Sequence, residues 1–471
     1  MTKLSTRRRT ASRPAIAPAQ IETFANAVRF LLDRTDFERT RVSRLDPEAF
    51  KLDRMSALLD ALGNPHEDVR MVHVAGTVGK GSTVAMIAAM LQGCGYTVGT
   101  YSSPHLVDVR ERVSINGAPI GRTDFTETVR AVAEAAEAID LEPTFFELMT
   151  AVGFRHFAEQ AVDIAVVEVG LGGRLDSTNV ITPEVSVITQ IDLDHTKLLG
   201  RTAPEIAAEK AGIMKQGVPC LTFEQDESIL DVFRRAAEEK GAILRIVGRD
   251  IEFSRRFNAG TDGGPQSRIC VINGDSEYMH VAVPLPGEHQ ALNAGIAVAA
   301  VDVLRGSGFE IEEVPLMEGL AATRVPGRME LVWEQPRILV DGAHNPVSLT
   351  ALMRCVGGHL PYDSMVCVFG CCEDKDVDQM LERAALGGDK FIFTRARGNP
   401  RAMDPEDLQR RFSEISGKMS QVANTVPEAL ELATQAVGRD DLICVTGSFY
   451  LVGETKKYLA EVEKRRAAGR A

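Results

Sequence analysis

Short apolar runs alternate with longer mixed stretches along most of this chain. Met71–Ala75, Thr97–Tyr101, Ile164–Val169, Val185–Ile191 and Val218–Phe223 are rich in β-branched residues and do not alternate apolar with polar. Such runs read as strands covered on both faces. Thr83–Cys94, Phe145–Gln160, Ala203–Lys215 and Ser228–Lys240 lie among them and are built of helix-forming residues. That order predicts a parallel sheet packed between helices. Ile21 to Leu62 reads as an α-helical lead-in, and no internal repeat is visible.

The rhythm changes at Arg249. From there to Pro286, glycine and aspartate turns separate short alternating runs such as Ile269–Ile272 and Tyr278–Val283. A small antiparallel insertion is the simplest reading. Pro286-Gly287 leads into an alanine-rich helix, His289–Arg305. A second βα series begins near Arg337, with strands at Ile338–Val340, Met365–Phe369, Lys390–Phe393 and Leu442–Val445. Its helices start near Asn345, Asp376, Asp404, Pro427 and Ser448. At 471 residues the chain exceeds one hydrophobic core. The expected boundary lies around Arg324-Val-Pro-Gly327, dividing 21–322 from 323–471.

Between the first strand and the first long helix stands Gly76-Thr-Val-Gly-Lys-Gly-Ser-Thr83. Strand, glycine loop and helix together make a phosphate loop. Backbone amides turn inward and the helix start favours an anion. Lys80 can neutralise β and γ phosphates, and Ser82 and Thr83 supply hydroxyls. The extra Gly81 departs from the G-x-x-x-x-G-K-[ST] spacing, and a plain glycine turn is the alternative. Glu168 ends the third strand beside three glycines, where the carboxyl ends of an open sheet gather ligands. It can hold Mg²⁺, or it can pair with Arg174. Asp192-Leu-Asp-His195 follows the next strand, so Asp194 and His195 could meet the same ion. Lys210 reads from the residues alone as a surface lysine on a helix.

Composition narrows the field. A formal charge of −13 argues against a nucleic-acid partner. No apolar run approaches the ~20 residues that span a bilayer, so no membrane partner is expected. The eight cysteines show no C-x-x-C pair and read as reduced, buried thiols of a cytoplasmic protein. Residues 1–20 contain no acid and read as a disordered basic tail, an organellar transit peptide being the alternative.

At this point the chain resembles the folylpolyglutamate synthase and dihydrofolate synthase family of the Mur ligase superfamily. The resemblance rests on Tyr101-Ser-Ser-Pro-His105, Thr144-Phe-Phe-Glu147, Gly170-Leu-Gly-Gly-Arg-Leu-Asp176, Glu209-Lys-Ala-Gly-Ile213, Val325-Pro-Gly-Arg328, Asp341-Gly-Ala-His-Asn-Pro346, Asp374-Lys-Asp376 and Gly447-Ser-Phe-Tyr-Leu-Val-Gly-Glu454. It implies a Mur-ligase-like α/β fold: a P-loop-type parallel α/β ATPase domain followed by a smaller Rossmann-like α/β domain. It implies a monomer that uses ATP and Mg²⁺ to add L-glutamate to dihydropteroate, to reduced folates or to both. Ser103, Glu168 and His195 match the family's magnesium ligands. Gly76, Thr77, Gly79, Lys80, Gly81 and Ser82 match its phosphate grip, and Asn293, Arg328, Asp341 and His344 its other ATP contacts. Lys80, His195, Arg328 and His344 are the expected catalytic groups, with Lys210 carboxylated by CO₂. Phe50, Lys51, Leu52, Asp53, Thr144, Phe145, Phe146, Glu147, Leu175, Asp176 and Ser177 match stretches that contact the pterin-bearing substrate.

Two features depart from the family pattern. Val78 stands where the loop usually carries asparagine, and Cys371-Cys372 precedes the Asp-Lys-Asp motif. Rival readings are a Mur-type ligase acting on cell-wall precursors and a nucleotide-gated binding protein without turnover.

Overall fold

The computed structural model describes residues 16–36, 52–258 and 265–468. Phe50, Lys51 and the first fifteen residues of the basic tail lie outside them. The tail was expected to reach residue 20, but folded structure begins earlier. Ile16 and Ile21 join an apolar cluster, and Pro18–Gln20 forms a short turn beneath it. Two isoleucines that can be covered are enough to bring this segment onto the domain.

The first sheet has eight strands: β1 (Met71–Ala75), β2 (Val98–Tyr101), β3 (Val113–Ile115), β4 (Ala118–Pro119), β5 (Ile164–Glu168), β6 (Val185–Ile188), β7 (Pro219–Phe223) and β8 (Ile243–Val247). Their order is β4-β3-β2-β5-β1-β6-β7-β8. The six strands from β2 to β8 run parallel, and β3 and β4 form an antiparallel edge. Every residue of β1, β5 and β6 is buried, as their unbroken apolar runs require.

Helices cover both faces. α1 (Phe24–Leu32), α2 (Leu52–Ala61), α4 (Arg122–Ala138) and α5 (Phe145–Glu159) share one apolar cluster with the sheet. On the other face α3 (Lys80–Gly93) is wedged between two later helices, α9 (Glu288–Val303) and α10 (Glu313–Ala322). α6 (Thr196–Leu199), α7 (Ala203–Lys210) and α8 (Glu227–Lys240) surround a third cluster near β6 and β7. The predicted antiparallel insertion is present as β9 (Glu252–Asn258), β10 (Gln266–Asn273) and β11 (Ser276–Ala282), with α9 packed on β10. Tyr278 and Asn273 both donate to the buried carboxylate of Asp302 on α9, at 2.7 and 2.6 Å.

The second sheet runs β12-β13-β17-β14-β15-β16. Its strands are β12 (Glu330–Glu334), β13 (Arg337–Val340), β14 (Met365–Phe369), β15 (Lys390–Phe393), β16 (Met419–Val422) and β17 (Leu442–Thr446). All are parallel except β12. α11 (Pro346–His359), α12 (Val377–Ala385), α13 (Pro405–Ile415), α14 (Val426–Ala436) and α15 (Phe449–Ala468) complete it. Sequence reading overlooked β12 and β16. Both are edge strands whose residues are largely half-exposed, so neither carries a solid apolar run. Among the described residues no helix is long and apolar enough to cross a membrane.

The two halves meet at Leu106. It follows β2 in the first half, yet it packs into the second half's apolar cluster with Leu451 and Val452. A side chain at Gly453 would fall on the Leu106 carbonyl oxygen, so only glycine allows this approach. Gly453→Ala should cost about 1–3 kcal/mol of docking energy through overpacking. Small-angle scattering should show a larger radius of gyration while circular dichroism is unchanged. An unchanged radius would mean that Leu106 does not set the distance between the halves.

Candidate active site

β5, β1 and β6 are neighbours, so the segments leaving their carboxyl ends come together. After β1 the chain turns through Gly76–Gly79 into α3. Gly79 has φ +94°, a left-handed conformation open to glycine without a Cβ penalty, and a side chain there would strike the Asn293 amide. The first amides of α3 have no acceptor within the helix, and Gly76 to Ser82 all line a cleft. Lys80 Nζ donates back to the Gly76 carbonyl at 3.2 Å.

The loop is fastened from two sides. The amides of Thr77 and Val78 donate to the Gln190 carbonyl at 2.9 and 3.3 Å, and Thr189 Oγ1 donates to the Val78 carbonyl at 2.7 Å. The Thr77 hydroxyl exchanges hydrogen bonds with the Asp192 backbone at 3.1 Å in both directions. From α9, Gln290 donates to Ser82 Oγ at 3.3 Å and accepts from Asn293 at 3.0 Å. Position 78 is held through its backbone, so valine there leaves the course of the loop intact.

Glu168 ends β5 at 5% exposure, and its Oε2 accepts the Ser103 amide at 3.3 Å. It does not pair with Arg174, whose guanidinium goes to Glu209 at 2.9 Å. A Cβ on Gly81 would sit 3.6 Å from Glu168 Oε2, so the carboxylate abuts the start of α3. His195 stands on the same cleft wall in a left-handed conformation, φ +49°. Its side chain is 37% exposed, but desolvation by the cleft walls, then Lys375, lowers its pKa to about 4.

Asp194, which the sequence offered beside His195 for a metal ion, is engaged across the cleft in this structure. It accepts Lys375 Nζ of the second half at 2.6 Å, and His344 Nε2 lies 3.8 Å from its other oxygen. Burial alone would raise the Asp194 carboxyl, but Lys375, His195 and His344 outweigh it and hold it far below the usual range. Among the described residues no group of three or more His, Cys, Asp or Glu is placed to hold a metal.

Lys210 is not on the surface. It ends α7 at 4% exposure and lines the cleft, where burial and then Lys80 lower its pKa to about 7. From the second half, Arg328 lies 4.6 Å over the Phe449 ring and 4.0 Å from Asp341. Asp341 is buried and does not line the cleft. Its carboxylate accepts the amides of Met329 and Ala343 at 2.9 and 2.8 Å. His344 Nδ1 donates to the Gly342 carbonyl at 2.9 Å; desolvation and then Lys375 lower its pKa to about 3.

The expected folate contacts divide into wall and scaffold. Leu52, Thr144, Phe146, Glu147, Leu175, Asp176 and Ser177 line the cleft. Phe145 is buried in the core beneath Arg112, and Asp53 is exposed on α2, so neither does. Thr144 and Glu147 form a capping box at the start of α5, and Arg54 grips Glu147 at 3.1 Å. Asp176 accepts from Leu171, Thr178 N and Thr178 Oγ1 at 2.8, 3.0 and 2.5 Å. Behind it, His73 Nε2 lies 2.9 Å from Thr178 Oγ1.

Gln290, Arg54, Arg401 and Lys375 escaped sequence reading as site residues. Lys375 lies in a motif quoted above, and Gln290 in the helix start beside Gly287. The other two carry no local signal, because their partners are far away in sequence. Cys371 and Cys372 are buried beside the Asp-Lys-Asp motif, with Cys372 Sγ accepting from Asn399 at 3.1 Å. All eight cysteines are free. The whole cleft encloses about 1690 Å³, with walls from both halves.

Comparison with known proteins agrees with this geometry. The Mur ligase middle domain matches residues 74–301, and the Mur ligase, glutamate ligase domain matches 327–449. A dihydrofolate synthase/folylpolyglutamate synthase of Bacillus subtilis is 36% identical over 415 residues, 87% of this chain and 94% of that one. A Mycobacterium tuberculosis folylpolyglutamate synthase complexed with ADP superposes with TM-score 0.83 at 31% identity, over 92% of this chain and 98% of that one. E. coli FolC in complex with DHPP and ADP gives TM-score 0.81 at 29% identity, over 96% of this chain and 100% of that one.

One buried group behind the site makes the fold pH-sensitive. Burial, then Lys215, lowers His73 to about 3, and its Nδ1 has no partner among the described residues. Between pH 6.5 and 3 the unfolded chain binds a proton there that the folded chain does not, so stability falls as pH falls. His73→Gln should remove about 1.4 kcal/mol per pH unit of that slope between pH 6 and 4. Urea unfolding at a series of pH values measures it. An unchanged slope would show that the imidazole charges inside the fold.

Proposed function

The chain belongs to the folylpolyglutamate synthase and dihydrofolate synthase family of Mur ligases, and on that premise we propose that it joins L-glutamate to dihydropteroate or to a reduced folate at the expense of ATP. The observation that carries this reading is the cleft itself. It holds a phosphate loop on one wall and a cluster of cations on the other, and its volume exceeds the ~300–1,000 Å³ of an ordinary ligand pocket. Room for a nucleotide, a pterin acid and an amino acid is what such a reaction requires.

A carboxylate resists attack by an amine. Transfer of the γ-phosphoryl group converts it to an acyl phosphate; the glutamate amine then attacks the acyl carbon, the C–O bond to phosphate breaks and an amide remains. The glutamate ammonium first loses a proton to solvent to become the attacking amine, a second proton leaves the nitrogen as the amide forms, and ADP and phosphate are the other products. The residues supply position and charge. The loop amides and Lys80 take the phosphates, and Gln290 orients Ser82 beside them. Arg328, kept over Phe449 and beside Asp341, reaches the nucleotide from the second half. His195 and His344 are neutral at pH 7 and offer lone pairs or N–H groups rather than charge.

The residues also fit Mg²⁺. Glu168 is a buried carboxylate against the loop, with the Ser103 amide on it and His195 lining the same cleft, and Mg²⁺ commonly takes one or two carboxylates together with substrate phosphates. When bound there it would neutralise charge on the transferring phosphoryl group. Lys210 is proposed to be carboxylated: with its pKa lowered to about 7, a substantial share of its amine is neutral near pH 7, and that form adds CO₂ through a new N–C bond and releases a proton to solvent. The resulting carbamate replaces a cation beside Lys80 with an anion. The amino acid is proposed to enter from the second half, where Lys375, Arg401 and Ser448 line the cleft and could meet its carboxylates.

ADP release should depend on both L-glutamate and either dihydropteroate or tetrahydrofolate. No glutamate-dependent ADP release with either acceptor would overturn the proposal. Glu168→Gln should lower turnover by about 10²–10³-fold with the fold intact, a loss typical of one charge-stabilising group. Near-normal turnover at saturating Mg²⁺ would remove Glu168 from the site. Asp341→Ala frees Arg328 and two amides, so it should weaken ATP binding by calorimetry; unchanged affinity would count against a nucleotide held from both halves.

A further inference from the structure

α7 ends at Lys210, and the chain continues as a tight turn, Ala211–Ile213. Helix ends leave carbonyl groups without donors. Here three carbonyls of that stretch converge on one ammonium, although the Ala211 carbonyl also accepts the Met214 amide at 3.1 Å. Lys240 Nζ, from the last residue of α8, donates to the carbonyls of Ala211, Gly212 and Met214 at 3.3, 2.6 and 3.4 Å. An ammonium has three N–H bonds, and each finds an acceptor.

The same turn is gripped from the side of the glycine-rich loop. Asn179 Nδ2 donates to the Gly212 carbonyl at 3.3 Å and to that of Arg174 at 3.0 Å. The Arg174 amide donates to the Glu209 carbonyl at 2.8 Å. At Gly173 there is no room for a side chain, since a Cβ would lie 2.7 Å from the Glu209 oxygen and 3.0 Å from Lys210 Cα. The backbone at Lys210 is thus closed in on the loop side and tied down on the α8 side. Its side chain extends into the cleft, beside Lys80.

We propose that Lys240 is a positioning residue: by gathering the three carbonyls it fixes the turn that holds the Lys210 amine in the cleft for carboxylation. This rests on the reading of Lys210 given above. Lys240 never meets substrate. Its task is to keep the amine where CO₂ uptake and the phosphate loop coincide, at a helix end that would otherwise fray.

Lys240→Met keeps the aliphatic stem and removes the donors. It should lower kcat by about 10- to 100-fold, as loss of a supporting contact commonly does, with the KM for ATP unchanged. Lys240→Arg should restore much of the loss. The decisive readout is the carbamate carbon. After equilibration with ¹³C-bicarbonate, the wild-type protein should show its NMR signal, Lys240→Met a diminished one, and Lys240→Arg a recovered one. A wild-type signal that persists undiminished in Lys240→Met, at unchanged kcat, overturns the proposal for Lys240 alone. Absence of any carbamate signal in active wild-type protein overturns the reading of Lys210 and this proposal with it. Should Lys240→Met fail to fold by circular dichroism, Lys240→Gln, whose shorter side chain withdraws the donor from the three carbonyls while staying polar, carries the same comparison.

Discussion

One carboxylate ties the two halves of the cleft together, as Leu106 does through apolar contact. Asp194 leaves the end of β6 in the first half and accepts Lys375 from the second, and both side chains are only 11% exposed. A buried pair of this kind gains little net stability over apolar packing, because desolvation offsets most of the attraction. What it does fix is geometry. An unpaired charge at that depth would be costly, so the second half must sit where Lys375 can reach. Leu106 applies the same demand in apolar form. With both satisfied, Arg328 and His344 face the phosphate loop across the cleft.

The first half fastens the phosphate loop at several points. Its amides hang on Gln190, its threonine on Asp192, its serine on Gln290, and its left-handed glycine leaves space for Asn293. The Gln190–Asp192 segment leads directly to Asp194 and His195. A shift of the loop is therefore a shift of the carboxylate that meets the second half. Nucleotide grip and closure share one stretch of backbone.

Much of this was legible in the sequence, for a physical reason. Strands buried on both faces have to be written as unbroken apolar runs, and β1, β5 and β14 were readable to within a residue. Edge strands such as β12 and β16 have one partner and open faces, and their residues carry no such mark. The phosphate loop was legible because glycine, lysine and a following helix are consecutive. Lys210 was not: nothing in Glu205-Ile-Ala-Ala-Glu-Lys210 says that the last turn of the helix faces a cleft rather than water, and only the family motif singled it out. Gln290 and Arg54 act on groups 208 and 93 positions away, and no local pattern can encode such a contact. Thr144 and Glu147 show the opposite lesson, since a motif that looks like substrate contact also serves as a helix cap.

The 208-residue span between Ser82 and Gln290 also bears on how the molecule is made. A ribosome moving at ~5–20 residues per second needs roughly 10 to 40 s to travel from one to the other. Throughout that interval the loop has emerged without the helix that completes its wall. Contacts of such long reach form late and slowly. A nascent chain therefore carries an exposed α3 apolar flank and an unfinished anion site for nearly half of its synthesis. Nucleotide can begin to stabilise the protein only after about two thirds of it exists, which makes the early chain a natural client for chaperones and the finished one a natural beneficiary of its own substrate.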